Sequence, residues 1–142
     1  MPEIRHRVGI AVDPARIFKA LTSIDGIRGW WDMDARGEAG ESGAFDFAGG
    51  HMDVEEADPS LVRWRYSGLA SDWVGTEVQI RLLPRDDQTY VLFTHADWRE
   101  PTEFMHHCTT TKWATYLISL KDMIERGEGR PKPRDAQIAV GG

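Results

Sequence analysis

Two hydrophobic patterns divide the chain: period-two alternation through most of its length, and helical spacing near its end. A first strand is predicted from Ile4 to Val12, where the apolar side chains share one phase. Asp13 and Pro14 then combine a good N-cap with a residue favoured at the first helical position. With a second cap at Ser23, they predict two short helices after the first strand.

Short runs of alternating residues, separated by turns rich in Gly, Pro and Asp, predict further strands between residues 33 and 96. Arg63 and Arg65 alternate with Val62, Trp64 and Tyr66, which indicates a sheet with one wet and one buried face. Short turns join antiparallel neighbours. The predicted strands are Met33–Glu38, Gly43–Ala48, His51–Asp58, Leu61–Gly68, Thr76–Pro84 and Thr89–Ala96.

The clearest helical pattern runs from Pro101 to Glu125 and ends at Gly127. At about 100° per residue, its inward residues form one stripe. The stripe contains His106, Thr110, Trp113, Leu117, Leu120 and Ile124. A helix with one apolar stripe and a sheet with one apolar face bury each other.

The predicted fold class is therefore α+β. A curved antiparallel sheet of six to seven strands wraps around a long C-terminal helix, and two short helices follow the first strand. We expect this domain to span residues 1–127. Residues 128–142 contain several Gly and Pro and predict an extended or disordered tail.

Charge and composition exclude several classes of function. The net charge is -6 and the isoelectric point about 5.3, whereas nucleic acids and anionic membranes reward a basic surface. No apolar run approaches the roughly 20 residues that span a bilayer, and the N-terminus has no apolar signal core. Cys108 is the single cysteine, so no internal disulfide forms. These features predict a cytoplasmic protein without nucleic-acid or membrane partners.

A series of short motifs follows the chain in a characteristic order. They are Val12-Asp13-Pro14, Phe18, Ala20-Leu21-Thr22, Trp30-Trp31, Gly43-Ala44-Phe45, the strand 62–66, Gly75-Thr76-Glu77-Val78, Phe93-Thr94-His95 and the helix 112–117 with Leu120. Over about residues 4–127 the sequence resembles START-like, helix-grip proteins (the Bet v 1-like or SRPBCC superfamily), closest to the branch named after the activator of the Hsp90 ATPase homologue. The resemblance implies a helix-grip fold. It does not choose among the lipid carriers, hormone receptors, cyclases, oxygenase domains and co-chaperones of that superfamily.

A set of large side chains can face the space between sheet and helix, and we interpret it as the lining of an apolar cavity. The alternative is a filled core, since aromatic residues are simply large and buried. The candidate ligand-binding residues are Trp30, Trp31, Phe45, Trp64, Tyr66, Phe93, His95, His106, Thr110, Trp113 and Leu117. Phe47 can join the same set.

Two histidines in that set could carry chemistry. His95 shares a strand phase with Phe93, and His106 lies on the predicted helical stripe. Facing one cavity, they could hold a carboxylate or polarise a carbonyl; alternatively, each hydrogen-bonds a neighbouring group. No metal or cofactor is predicted, because the consecutive residues from His106 to Cys108 point in different directions on a helix.

Trp73 and Trp98 fall in predicted loops, the first between Gly68 and Gly75. A loop Trp can anchor a partner, cover the mouth of the cavity, or pack on the domain's own surface. One alternative is that the partner is a second copy of this chain, in a homodimer formed through a sheet edge or the Trp73 loop.

The leading functional hypothesis is binding of a small hydrophobic or amphipathic molecule between the sheet and the C-terminal helix. One alternative is a cyclase- or dehydratase-type enzyme that uses His95 or His106 as acid and base. Another, implied by the resemblance, is a chaperone-linked protein-interaction domain like the Hsp90 ATPase activator.

Overall fold

The computed structural model describes residues 2–68 and 71–140, so Met1, two residues of the predicted 68–75 loop and the two terminal glycines lie outside it. The strands are β1 (Ile4–Ile10), β2 (Arg36–Gly37), β3 (Ala44–Phe47), β4 (Gly50–Asp58), β5 (Leu61–Tyr66), β6 (Glu77–Arg85) and β7 (Gln88–Ala96). The helices are α1 (Pro14–Thr22), α2 (Ile24–Trp30) and α3 (Thr110–Arg126), and a π-helical turn, Phe104–Thr109, leads into α3.

The strands form one antiparallel sheet of seven, in the order β1-β7-β6-β5-β4-β3-β2. Strands β2 to β7 follow one another as a meander, and β1 closes the far edge by pairing with β7 in a register that places Val8 opposite Val91. A bulge between Val54 and Glu56 interrupts the β4–β5 pairing, and bulges of this kind bend a strand. The predicted α+β class and the curved antiparallel sheet are confirmed.

Local sequence signals account for the helix boundaries. The side chain of Asp13 accepts a hydrogen bond from the backbone N–H of Arg16 at 3.3 Å, and Ser23 Oγ accepts from that of Gly26 at 3.1 Å. These are N-cap bonds of α1 and α2. Gly127 ends α3 with a φ of 87°, a left-handed conformation that glycine adopts without a steric penalty. In the part of the chain described, no helix combines the length and apolar character needed to cross a membrane.

The core lies between the inner face of the sheet and the three helices. Trp113, Leu117 and Leu120 project from α3 and are at most 1% exposed. Trp113 packs against Phe93 of β7 with ring centroids 4.5 Å apart. The stripe predicted for α3 is thus buried from Trp113 to Ile124.

Beyond α3 the chain runs irregularly back over the domain. The backbone N–H of Arg130 donates to Ser119 Oγ at 2.7 Å, and that of Lys132 donates to the carbonyl of Trp31 at 2.7 Å. The carbonyl of Lys132 in turn accepts from the N–H of Met33 at 3.0 Å. These bonds attach the tail, residues 128–140, to α3 and to the end of α2. The domain boundary at residue 127 stays a prediction.

Candidate functional site

A cavity of about 700 Å³ opens where three parts of the fold meet: the β3–β4 turn, the first turns of α3 with the π-helical turn, and the tail. Its walls include both aromatic rings and charged groups. The lining residues are Trp31, Phe47, Ala48, Gly49, Gly50, Tyr66, Ser71, Trp73, Phe104, Cys108, Thr109, Lys112, Trp113, Tyr116, Lys132, Pro133, Asp135 and Gln137.

Aromatic rings form the deep wall of the cavity. Trp31, at the end of α2, lies with its ring centroid 4.4 Å from Phe47 and 5.0 Å from Trp113. Trp73 stacks on Trp113 at 5.8 Å with an interplanar angle of 21°. Tyr66 lies edge-on to Trp73 at 5.7 Å. The wall is therefore apolar and presents both the faces and the edges of aromatic rings, which suits an aromatic hydrophobic molecule.

Three polar side chains, Lys112, Tyr116 and Asp135, from here on the polar pole, form another part of the cavity wall. Lys112 Nζ lies 2.5 Å from Asp135 Oδ2, and the hydroxyl of Tyr116 donates to the same oxygen at 2.9 Å. Lys112 and Tyr116 are one helical turn apart on α3, whereas Asp135 comes from the tail. The Asp135 side chain is only 4% exposed.

The ionisation of the polar pole follows from these contacts. Burial raises the pKa of Asp135, but the hydrogen bonds from Lys112 and Tyr116 outweigh it and hold that pKa below its usual value. For Tyr116, burial first and then the hydrogen bond to Asp135 raise the pKa well above the usual value of a phenol. The pole thus contains an ammonium, a carboxylate and a neutral phenol.

Asp32 fixes the rim of the cavity. Its Oδ2 accepts from the backbone N–H of Ala48 at 2.7 Å, and its Oδ1 accepts from that of Asp34 at 2.9 Å. Ala48 and Gly49 have φ values of 41° and 83°, so the β3–β4 turn passes through the left-handed region. The buried carboxylate ties this turn to the end of α2, beside Trp31.

His95 lies under the cavity within a continuous chain of hydrogen bonds that runs from Trp113 to the carbonyl of Trp73. Trp113 Nε1–H donates to His95 Nδ1 at 3.0 Å, and His95 Nε2 lies 2.8 Å from Thr76 Oγ1. The Thr76 hydroxyl donates onward to the carbonyl of Trp73 at 2.6 Å. Because Nδ1 accepts, the proton must sit on Nε2. Burial lowers the His95 pKa to about 3, so the ring is neutral.

The predicted ligand-binding residues divide into three groups. Trp31, Tyr66 and Trp113 line the cavity. His106 is exposed, and Thr110 Oγ1 instead lies 3.0 Å from His6 Nε2, facing β1. The remaining six are at most 1% exposed and form the solid core beneath the cavity: Trp30, Phe45, Trp64, Phe93, His95 and Leu117.

The π-helical turn explains the position of His106. The backbone N–H of Thr110 bonds to the carbonyl of Met105, five residues back, which inserts extra chain into that turn. The inward stripe therefore continues from Trp113 to Thr109 and Met105, both buried. Extrapolating α-helical spacing backwards from Trp113 predicted His106 and Thr110 instead, because it assumed an uninterrupted α-helix.

Several cavity residues were absent from the predicted set. For Trp73 the sequence did indicate a place at the cavity, since covering the cavity mouth is one of the alternatives for a Trp in that loop. Tyr116 follows Trp113 by three residues and shares its face of α3. Asp135 had no local signal, because its role depends on how the tail folds back.

Trp98 packs within the domain at 1% exposure and donates from Nε1 to the carbonyl of His95 at 2.9 Å.

Comparison with known proteins identifies the family. The model of the Activator of Hsp90 ATPase homolog 1-like protein family matches residues 11–125. The chain belongs to this family. The match confirms the resemblance seen in the sequence motifs. None of the curated proteins matches the chain.

Solved structures agree with the family assignment. The Aha1 dimer from Colwellia psychrerythraea is 41% identical, with a TM-score of 0.80, covering 91% of this chain and 100% of that one. CalU16 from Micromonospora echinospora is 22% identical, with a TM-score of 0.73, covering 87% and 74%. MLL2253 from Mesorhizobium loti is 15% identical, with a TM-score of 0.76, covering 89% and 99%. The last two show the shared fold alone.

Proposed function

We propose that this member of the Activator of Hsp90 ATPase homolog 1-like family binds a small hydrophobic or amphipathic molecule in the cavity. The observation that carries the proposal is the pairing of an aromatic wall with one compact polar pole around about 700 Å³ of space. Small-molecule sites commonly measure roughly 300–1,000 Å³ and combine apolar walls with a few convergent polar groups. The compartment predicted from the sequence is the cytoplasm.

The aromatic wall would supply most of the binding free energy. Removing apolar surface from water stabilises a complex by about 25 cal/mol per Å² before ordering costs are subtracted. Trp31, Trp73 and Trp113 are held by mutual packing, so little further ordering of their side chains is needed. The polar pole would orient the ligand rather than dominate its affinity.

Acid–base catalysis by the predicted histidines, His95 and His106, has less support than ligand binding. Both ring nitrogens of His95 are engaged in hydrogen bonds, and its pKa of about 3 is far from that of a proton carrier near neutral pH. His106 is exposed and does not line the cavity. A cyclase or dehydratase mechanism built on either residue therefore has no geometric support here.

Cys108 provides a direct test of occupancy. It is the single cysteine in the sequence, it is partly buried, and it lines the cavity. The neutral fluorescent probe 4-(1-pyrenyl)butanol should quench tryptophan emission by energy transfer and slow the alkylation of Cys108 by iodoacetamide. Saturation of both signals at the same probe concentration would locate the probe in the cavity. Unchanged emission and unchanged alkylation with this probe and its carboxylate analogue would overturn the proposal.

Two neighbouring phenylalanines give a matched pair of variants. Phe47 lines the cavity, whereas Phe45, two residues earlier on β3, lies in the core and does not. Phe47→Leu should weaken probe binding several-fold. Phe45→Leu should lower stability yet leave probe affinity within about twofold, since the core substitution removes no ligand contact.

A protein-interaction role is a second candidate, favoured by one comparison. The Colwellia psychrerythraea neighbour is named as an Aha1 dimer. In this chain Phe104 is 55% exposed at the edge of the cavity, where a partner could cover it. Light scattering of the wild type and of Phe104→Ser tests self-association, which should be weaker in the variant. A wild type that stays monomeric at high concentration would exclude the homodimer.

A further inference from the structure

The polar pole is filled by a carboxylate that belongs to the protein itself. Lys112 and Tyr116 stand on a regular part of α3, so their positions are fixed by the helix. Asp135 reaches them from an irregular segment 19 residues beyond Tyr116 and places one oxygen, Oδ2, against both donors. Among the described residues, Asp135 is thus the carboxylate that both donors contact.

The attachment of this part of the tail depends on that carboxylate. Upstream, the backbone of Arg130 and Lys132 holds the chain. Within the described residues 133–140, the hydrogen bonds that reach α3 both end on Asp135. Other polar contacts there are local, such as Arg134 to Glu128 at 2.7 Å and Gln137 Nε2 to the Asp135 carbonyl at 3.2 Å. Asp135 can leave the pole without breaking the upstream bonds.

The two donors of the pole match an external carboxylate. An ammonium and a phenol hydroxyl on one side of an oxygen are strong, charge-assisted partners for a carboxylate. Without Asp135, Lys112 would stand in a half-buried wall with no ion-pair partner among the described residues, a costly arrangement. A ligand carboxylate would restore an opposite charge beside Lys112. The apolar body of the same ligand would also be buried against the aromatic wall, a contact that Asp135 does not make.

We propose that the ligand is a carboxylic acid with an apolar aromatic body, and that its carboxylate replaces Asp135 on Lys112 and Tyr116. This inference rests on the proposed function and names its ligand class. Asp135 then acts as an internal competitor. The apparent affinity of the wild type is reduced by the fraction of molecules in which Asp135 occupies the pole.

The test compares two probes that differ only at the polar end, 4-(1-pyrenyl)butanoate and 4-(1-pyrenyl)butanol, on the full-length protein. Asp135→Asn removes the competing charge while keeping the shape of the side chain. It should raise the affinity for the butanoate about tenfold and leave that for the butanol within about twofold. Glu128→Gln is the matched control: it makes the same change of charge in the same tail, but Glu128 pairs with Arg134 and does not line the cavity.

Two variants of the donors complete the experiment. Tyr116→Phe removes only the hydroxyl, and Lys112→Met removes the charge while keeping an unbranched stem. Each should weaken butanoate binding several-fold and spare butanol binding. Near-ultraviolet circular dichroism checks that each variant retains its packed aromatic core. If Lys112→Met does not fold, Tyr116→Phe and Asp135→Asn are sufficient to test the inference.

The outcomes separate this inference from the function beneath it. Equal binding of both probes, unaffected by Asp135→Asn and Tyr116→Phe, would overturn the carboxylate inference and leave hydrophobic binding standing. A gain in Glu128→Gln equal to that in Asp135→Asn would also overturn it, because the effect would then be a general one of tail charge. Binding of neither probe to any variant would overturn the proposed function and this inference with it.

Discussion

Trp113 and His95 are joined by a hydrogen bond of 3.0 Å, from the indole N–H to Nδ1 of the imidazole, which links α3 to β7 through the core. The bond selects the neutral tautomer with its proton on Nε2, and Thr76 accepts that proton's hydrogen bond. A protonated ring would have no acceptor role left for Nδ1 and would face the Trp113 N–H as a second donor. The floor of the cavity therefore requires a neutral His95.

This requirement predicts a loss of stability on mild acidification. The folded pKa of His95 is about 3, below the roughly 6.5 expected in the unfolded chain. The unfolded state binds more protons between these values, so the free energy of unfolding falls as pH decreases through that window. Between pH 7 and pH 5 the loss should be about 2 kcal/mol, measured by urea denaturation at each pH.

The variant His95→Gln isolates this effect. It should be less stable at pH 7 but should show a flatter dependence of stability on pH between 5 and 7. His51, whose pKa is raised by its hydrogen bond to Asp46, acts in the opposite direction, since its contribution is present at low pH and lost as pH rises. An equal slope in wild type and His95→Gln would contradict the assignment, as would an NMR titration of His95 near pH 6.5.

Substitution of Asp32 should lower stability strongly, whereas substitution of the nearby Asp34 should have little effect. Asp32→Ala removes the acceptor of two backbone N–H groups, those of Asp34 and Ala48, and the carboxylate is buried at 3% exposure. We expect a loss of about 2–4 kcal/mol in unfolding free energy. Asp34→Ala, two residues away and exposed, should change stability by less than about 0.5 kcal/mol. Similar losses in the two variants would contradict the role given to Asp32.

The sequence pattern was sufficient for the fold because the fold depends on periodicity. Alternation in segments such as β5 defined the buried face of the sheet, and the caps at Asp13 and Ser23 defined the two short helices. Trp31, Tyr66 and Trp113 were assigned to the cavity on the same basis. Tyr66 and Trp113 lie on β5 and α3, whose phase the sequence determines, and Trp31 directly follows α2.

The remainder of the site depends on features that periodicity does not contain. The π-helical turn shifts the inward stripe before Thr110, and nothing in the residues 104–109 marks it, so His106 was predicted on the wrong side of the helix. Asp135 joins Lys112 from 23 residues away along the chain. Such a contact depends on the path of an irregular tail, for which no repeat pattern exists.

Two buried threonines should respond in opposite ways to the same substitution. Thr109 Oγ1 is buried and, among the described residues, has no hydrogen-bond partner, so Thr109→Val should leave stability unchanged or raise it by up to about 1 kcal/mol. Thr76 Oγ1 bonds both His95 and the carbonyl of Trp73, so Thr76→Val should cost about 1–3 kcal/mol. Thermal unfolding of the two variants measures the difference, and a loss in Thr109→Val matching that in Thr76→Val would show that Thr109 has a partner.

Gly129 should determine whether the tail stays attached. A Cβ there would lie 2.4 Å from the carbonyl oxygen of Gly29 and 3.0 Å from that of Ser119, and backbone on both sides cannot yield cheaply. Gly129→Ala should therefore displace the tail and withdraw Asp135 from Lys112.

Limited proteolysis measures this displacement at one peptide bond. Arg130 and Lys132 are each followed by proline, where trypsin does not cleave, so cleavage in this stretch reports on the Arg134–Asp135 bond. Its rate should rise several-fold in Gly129→Ala, because a bond held in a packed tail must detach before it is cut. Gly40→Ala is the matched control, since its Cβ would meet only the Thr22 carbonyl at an ordinary 3.6 Å. Equal cleavage rates in Gly129→Ala and Gly40→Ala would mean that the tail does not depend on the close approach at Gly129.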